Sequence, residues 1–194
     1  MHADASNWES LIKLFDAAVA FGPSKTIDIV VPCAGIAGDS VDTWLMQPPK
    51  DANGTLLPPQ IPIIDLNLTG VIYMSYLALY HFQNTSTADD ASSTKQIIFI
   101  SSLAGYTAPQ GSVIYSASKF GVRGIWKSLR QRTDVLGEGL PLVRYNLIAP
   151  TFVRTPMTAG MQPMVESVGI KFCEIADVVE GVIRLASDES IFGE

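Results

Sequence analysis

Two side chains with complementary chemistry, Tyr115 and Lys119, bracket the segment YSASK. On a helix, residues four apart are neighbours on one face, so the Lys119 ammonium would lie one turn from the Tyr115 ring. A free phenol has a pKa of about 10 and does little acid–base work at neutral pH, but a nearby cation favours the phenolate and lowers that value. A tyrosine tuned in this way can give a proton to a developing alkoxide or take one from an alcohol. In a chain with six tyrosines a Tyr-x-x-x-Lys is weak on its own, so its weight depends on its surroundings. Those include Ser102, whose hydroxyl could orient a substrate oxygen or simply cap the turn after a strand. They also include Asn67, in DLNLTGV, which could equally be a polar residue bonded to backbone inside a helix.

The apolar pattern says what would hold these groups. Ser6 and Glu9 have the spacing of a capping box, and Leu11, Ile12, Phe15, Ala18 and Val19 follow at helical spacing, which predicts a helix over about 7–21 ending at Gly22-Pro23. IDIVV at 27–31 is a short β-branched run stopped by PCAG, the pattern of a buried parallel strand. A proline-rich loop at 48–62 leads to a stretch without Asp, Glu, Lys or Arg from Leu66 to Asn84. Its length raises a membrane span, but Asn67, Thr69, Ser75 and His81 argue for a buried helix of a globular domain, running to about 83. After the polar connection NTSTADDASSTK come a second strand, QIIFI at 96–100, and a long helix over about 113–136 that carries YSASK. LVRYNLIAP at 142–150 reads as a third strand, and about 175–187 as a last helix. Strands alternating with helices at this spacing predict an α/β fold with a parallel sheet covered on both faces. In such sheets ligands bind beyond the carboxyl ends of the strands, here PCAG, SSLAG and APTFVRTP, all rich in small or polar residues.

Composition narrows the partners. The 194 residues, 47% hydrophobic and 16% charged, suit one ordered domain. A net charge of −6 and no Lys/Arg cluster argue against nucleic acid. Cys33 and Cys173 are too few for a disulfide framework, which points to a reduced, cytoplasmic protein. His2 and His81 have no cysteine or carboxylate cluster beside them, so no metal is expected, and MHADASNWES lacks the pattern of a signal peptide.

In order and spacing, a strand-end Cys33-Ala34-Gly35, Asn67 within DLNLTGV, Ser102, the Tyr115/Lys119 pair and a Pro150-x-x-x-x-Thr155 segment resemble the short-chain dehydrogenase/reductase family. The likeness is to its classical group and, more loosely, to fungal members similar to hydroxyprostaglandin-type alcohol dehydrogenases. It covers the chain from Asp4 to about Ser187. It implies a single Rossmann-like domain over 1–194 that interconverts a secondary alcohol and a ketone by hydride transfer with NAD or NADP. By resemblance, Tyr115 is the general acid/base, Lys119 lowers its pKa and holds the nicotinamide ribose, Ser102 orients the substrate oxygen, and Asn67 supports a proton relay through water. Asp4 is placed against the adenine, Cys33, Ala34 and Gly35 beside the cofactor, and Pro150, Thr151, Val153 and Thr155 in a clamp on the nicotinamide amide. The chemistry suits the residues, because hydride transfer changes the charge on a carbonyl oxygen, and a hydroxyl donor with a tuned phenol stabilises that charge. A small-molecule alcohol or carbonyl substrate and a homodimer or homotetramer, formed through helices like those near 67–83 and 113–136, follow from the same resemblance; a membrane partner does not.

The chain departs from the family pattern in Cys33, where Asn is usual, in Thr151, where Gly is usual, and in the longer loop at 48–62. The largest departure is the lack of a glycine-rich turn before residue 22, the turn that lets a backbone approach a pyrophosphate. By resemblance the chain starts inside the family's third strand and stops just before its last one. This predicts a truncated fold lacking the first βαβ portion, with IDIVV as an exposed edge. Two readings follow: an NAD(P)-dependent oxidoreductase, or a catalytically silent domain acting as a binding or oligomerisation subunit. The residue that separates NAD from NADP, at the end of the family's second strand, is not in the chain.

Overall fold

Ladder register decides which residues share a face. In the computed structural model, which describes residues 1–37, 47–87, 89 and 93–193, β2 (Thr94–Ile100) runs parallel to β3 (Leu142–Ile148) along its whole length, with Ile97 opposite Tyr145 and Ile100 opposite Ile148. β1 (Ile29–Val30) pairs in parallel on the other side of β2, giving a three-stranded sheet of order β1-β2-β3. β1 is shorter than IDIVV suggests. Asp28 adds one carbonyl bond to Gln96, and Pro32, which has no N–H, comes soon after the paired residues. β1 is an edge strand, as expected, and Ile29 is exposed.

Side chains alternate across a strand. Ile97, Phe99, Val143, Tyr145 and Leu147 therefore face one way, towards α2 (Pro62–Thr85) and α4 (Val113–Leu129). α1 (Trp8–Phe21) stacks on α2 as an outer layer, and Leu11, Phe15, Val71, Phe82, Val122 and Trp126 close the core. The opposite face carries Gln96, Arg144 and Asn146 and is covered by α6 (Ile175–Ser187). This is the expected Rossmann-like sheet with helices on both faces.

Several local expectations need correction. The cap of α1 is Asn7, whose Oδ1 accepts from Ser10 N at 2.8 Å. The Ser6–Glu9 capping box does not form, because the Ser6 amide and hydroxyl both donate to Asp4 Oδ1, at 2.9 and 2.7 Å. α2 starts earlier than its apolar run, with Pro62 at the first turn, where a missing N–H costs nothing. It is long and apolar enough to cross a membrane by length and composition, yet Val71, Leu77, Ala78 and Phe82 are buried in the core. The helix carrying YSASK ends at Leu129 rather than near 136; the chain then turns, and Leu136 returns to the core from a loop. Of the connection at 84–95, residues 88 and 90–92 lie outside the described residues. The proline-rich loop folds around Asp51, whose Oδ1 accepts from Asn53 N and Thr55 N, both at 2.8 Å.

Candidate active site

The carboxyl end of β2 holds the lysine. Ser101 Oγ donates to the Lys119 carbonyl at 3.0 Å, and Lys119 Nζ donates to the Ile100 carbonyl at 3.1 Å, so both ends of Lys119 are tied to the last residues of the strand. α3 (Ala104–Thr107) crosses α4 at this point. A Cβ at Gly105 would lie 2.8 Å from both the Lys119 carbonyl oxygen and Ser101 Oγ, so the crossing requires glycine.

Lys119 is 7% exposed, and no carboxylate pairs with it among the described residues. Burial alone lowers its ammonium to about 8. Nζ lies 5.7 Å from the centroid of the half-buried Tyr115 ring, the one-turn neighbourhood that the spacing implies. No hydrogen bond among the described residues engages the Tyr115 hydroxyl, which leaves it free to meet a ligand.

Asn67 lies in a π-turn, Asp65–Thr69, inside α2, a distortion that recurs at functional sites. It is fully buried. Its Oδ1 accepts from Ile36 N at 2.9 Å, and its Nδ2 donates to the Ile36 carbonyl at 2.8 Å and to Ser118 Oγ at 3.4 Å. The amide thus ties the chain leaving β1 to α4. A methyl group at Gly35 would stand 3.4 Å from Asn67 Oδ1 and 3.9 Å from Lys119 Nζ, so Gly35, Asn67 and Lys119 meet around one small space.

Ser102 faces the end of β3. Its hydroxyl accepts from Ala104 N at 3.2 Å and stands 3.5 Å from the Pro150 carbonyl, which also accepts from Leu103 N at 2.9 Å. It therefore caps the turn, with its own proton only loosely engaged. No hydrogen bond joins Ser102 to Tyr115. Beyond Pro150, Val153 bridges to Cys173, and Thr151 Oγ1 lies 3.4 Å from Cys173 Sγ. Thr155 caps the following 3-10 turn, Pro156–Met161.

Asp4 stands apart from this cluster. Its exposed carboxyl sits below its ordinary pKa because it accepts two bonds from Ser6, and no contact among the described residues carries it to Lys119. Cys33 and Ala34 are exposed beyond β1.

Sequence reasoning missed Ser101, Ser118, Gly105 and the main chain at Ile36 and Ile100. Ser118 lies within YSASK and Ser101 beside Ser102, so adjacency was the available signal; the backbone partners had none. It also missed Arg154, which donates to Glu174 and Gln162, both at 3.0 Å, and joins the loop after β3 to the start of α6.

The family model described as short chain dehydrogenase matches residues 1–166. The chain belongs to the short-chain dehydrogenase family. It is 37% identical to a 5'-hydroxyaverantin dehydrogenase of Dothistroma septosporum over 98% of this chain and 63% of the relative. It is 33% identical to an NADP-dependent dehydrogenase M3 of a Phoma species over 98% of this chain and 57% of that one. A crystal structure of 3-ketoacyl-(acyl-carrier-protein) reductase from Brucella melitensis, complexed with NADH, superposes with a TM-score of 0.75 at 22% identity, covering 98% of this chain and 72% of that one. That likeness supports the fold. The chain thus spans 63% and 57% of the length of those two fungal relatives.

Proposed function

We propose that the chain carries the proton-transfer side of a nicotinamide-dependent oxidoreductase that interconverts a secondary alcohol and a ketone. The observation that carries this reading is the buried Lys119 ammonium, held by Ile100, 5.7 Å from the Tyr115 ring and beside Gly35 and Asn67. Relatives named as dehydrogenases support it.

The residues fit one end of a nicotinamide dinucleotide. A buried cation without a carboxylate partner among the described residues, next to a glycine, suits a ribose hydroxyl, and the strand ends at Gly35 and at Pro150–Thr155 flank it. The glycine-rich cradle for the pyrophosphate is not among these residues. A bound dinucleotide would supply the hydride. In ketone reduction, the Tyr115 hydroxyl gives its proton to the carbonyl oxygen as negative charge develops there, and Ser102 donates a hydrogen bond to the same oxygen. Lys119 favours the phenolate that remains, and the oxidation direction reverses these roles. Asn67 keeps the Gly35–Ile36 backbone in register with α4 and supports the water relay that returns a proton to Tyr115. Asp4 meets the adenine end. Either NAD or NADP fits, given one relative named as NADP-dependent and a fold neighbour complexed with NADH.

The assembly is a homodimer or homotetramer. α2 and α4 present exposed Ile72, Tyr76 and Tyr80 and a groove of about 360 Å³ lined by Ile72, Leu79 and Ile125, an apolar surface suited to a second copy. A cytoplasmic setting would keep Cys33 and Cys173 as thiols.

The test is a titration with NADH and NADPH, following reduced-nicotinamide fluorescence, on the wild type and on Lys119→Ala. Saturable binding that the variant loses supports the proposal and names the cofactor. A folded chain that binds neither would turn the search towards the silent-subunit alternative.

A further inference from the structure

Resting on the oxidoreductase reading, we propose that Ser101 is a positioning residue of the site: its hydroxyl fixes the main chain of Lys119 against the end of β2. The ammonium is thereby kept on the Ile100 carbonyl, with its other N–H donors left for a ribose and Tyr115. Two serines follow the strand, and they do different work. Ser102 Oγ accepts from Ala104 N at 3.2 Å on the Pro150 side, whereas Ser101 is 3% exposed and donates to the Lys119 carbonyl at 3.0 Å.

The clamp is reciprocal. Ser101 gives its hydroxyl proton to Lys119, and Lys119 Nζ uses one of its three N–H donors on the carbonyl of Ile100, the residue before Ser101, at 3.1 Å. The main chain and the tip of one long side chain are therefore both referred to the same two residues, which fixes the span between them. Ser101 is itself anchored, since its N–H donates to the Ile148 carbonyl at 2.8 Å. One residue thus joins the ends of β2 and β3 to α4. Inside a helix the Lys119 carbonyl belongs to the i→i−4 ladder and needs no further donor, so a second bond on its other lone pair ties two elements together rather than capping one.

The crossing leaves little slack, because a Cβ at Gly105 would lie 2.8 Å from both the Lys119 carbonyl oxygen and Ser101 Oγ. Other restraints of this kind are lacking among the described residues. No carboxylate pairs with Lys119, and the loop after β3 is tied elsewhere: Arg154 donates to Glu174, ahead of α6, and to Gln162, at the start of α5 (Gln162–Ser167). A lysine stem is flexible, so a clamp that holds it before the nucleotide arrives removes an ordering cost from binding. A displacement of about 1 Å at such a group can cost roughly a hundredfold in rate. Without the Ser101 bond the stem can swing off Ile100 towards water, and the burial that holds the ammonium at about 8 is relieved.

The experiment is an NMR titration of the full chain carrying lysine labelled with 13C at the ε carbon, with the Lys119 signal assigned by its loss in Lys119→Met. NADH and NADPH titrations at pH 7 are run on the same wild-type, Ser101→Ala and Ser101→Thr samples. In Ser101→Ala the Lys119 midpoint should rise from about 8 towards the ordinary lysine value, by about half a pH unit or more. Nucleotide affinity should fall about fivefold, the worth of one ordinary hydrogen bond. Ser101→Thr, which keeps the hydroxyl, should restore both. A Ser101→Ala chain that melts earlier but keeps its midpoint and its affinity overturns the proposal and leaves Ser101 a purely structural residue. Equal changes in Ser101→Ala and Ser101→Thr also overturn it, and assign the effect to fit at the Gly105 crossing. A wild type that binds neither nucleotide sinks the oxidoreductase reading instead, and the midpoints alone then decide whether Ser101 places the ammonium.

Discussion

The two faces of the sheet are built by different physics. On the face below α2 and α4, Ile97, Phe99 and Val143 are fully buried, and Tyr145 nearly so, in a cluster of apolar side chains. On the face below α6, the buried strand residues are Ile98 and the polar Gln96, Arg144 and Asn146; Arg144 Nε donates to Thr94 Oγ1 at 2.9 Å and Nη2 to Gln96 Oε1 at 3.4 Å, and the remaining bonds run mostly to main-chain carbonyls. Gln96 donates to Leu185 at 2.9 Å, Arg144 to Leu185, Asp188 and Ile191 at 3.1, 3.0 and 3.3 Å, and Asn146 to Ile191 at 3.1 Å. Arg144 thereby satisfies carbonyls that the end of α6 leaves open, where a cation also suits the helix dipole. The helix carrying Tyr115 and Lys119 is thus held by packing, which is stiff and intolerant of lost volume. The last helix and the segment after it are tied to the sheet by directional bonds, with Ile148 beside Gly181 as an apolar contact.

The largest expected effect removes volume from the apolar face. Phe99→Ala should cost about 3–5 kcal/mol, the usual range for a buried phenylalanine. Urea denaturation followed by Trp126 fluorescence measures it, since Trp126 Nε1 donates to the Tyr145 carbonyl at 3.0 Å on this face. A loss below about 1 kcal/mol would mean that the packing here is no tighter than on the α6 side.

Next comes Lys119, a buried ammonium that, unlike the Asp28-paired Lys95, has no carboxylate partner among the described residues. Burial lowers it from 10.5 to about 8, and at about 1.4 kcal/mol per pKa unit the cost of keeping it charged is on the order of 3 kcal/mol. The sign follows from proton counts. Between pH 8 and 10.5 the unfolded chain binds more protons than the folded one, so stability rises with pH through this window, while below about 8 the full cost is present. Lys119→Met should be more stable than the wild type at pH 7 and lose that rise, while losing nicotinamide binding. Melting curves at pH 7, 8, 9 and 10 would show parallel behaviour in both chains if burial imposed no cost.

Arg144→Met probes the other face and should cost about 1–3 kcal/mol, the range for hydrogen bonds to a charged group. The response should be local, with faster amide exchange over 185–192 and an unchanged Trp126 signal. A uniform rise in exchange across β2 and α4 would show that the two faces act as one cooperative unit.

How much of this was legible in the sequence depends on whether side chains or backbone carry the information. The strands at 96–100 and 142–148, α1, α6 and the Tyr115/Lys119 neighbourhood follow from apolar spacing and came through with small boundary shifts. The ladder at 29–30 was overestimated because pairing depends on a neighbour's register, which composition does not encode. The long helix was extended to 136 because Leu136 fits the apolar rhythm, although it reaches the core from a loop. In the site, Asn67 and Lys119 were visible as residue types. The carbonyls of Ile36 and Ile100 that hold them were not, since every residue has a carbonyl and only the fold selects which one is used. The polar face was missed for a related reason: VRYN reads as a strand, but its Arg and Asn are buried through bonds to a segment more than forty residues away.

The smallest effect tests the outer layer of the apolar side, where spacing suggested one cap and the fold uses another. The first amides of α1 need acceptors, and Asn7 Oδ1 meets Ser10 N at 2.8 Å while Ser6 is turned towards Asp4. Asn7→Ala should therefore cost about 1 kcal/mol, and Glu9→Ala only a few tenths, reflecting the favourable field for an acid in the first turn. Because α1 packs chiefly on α2, the loss at Asn7 should appear as fraying of α1, read by amide exchange over residues 8–12, with little change at Phe99 or Trp126. Equal losses for Asn7→Ala and Glu9→Ala would restore the reciprocal box that the spacing implied. A loss at Asn7 that spread to β2 would instead place α1 inside the rigid unit that holds Lys119, extending the packed face to its outermost helix.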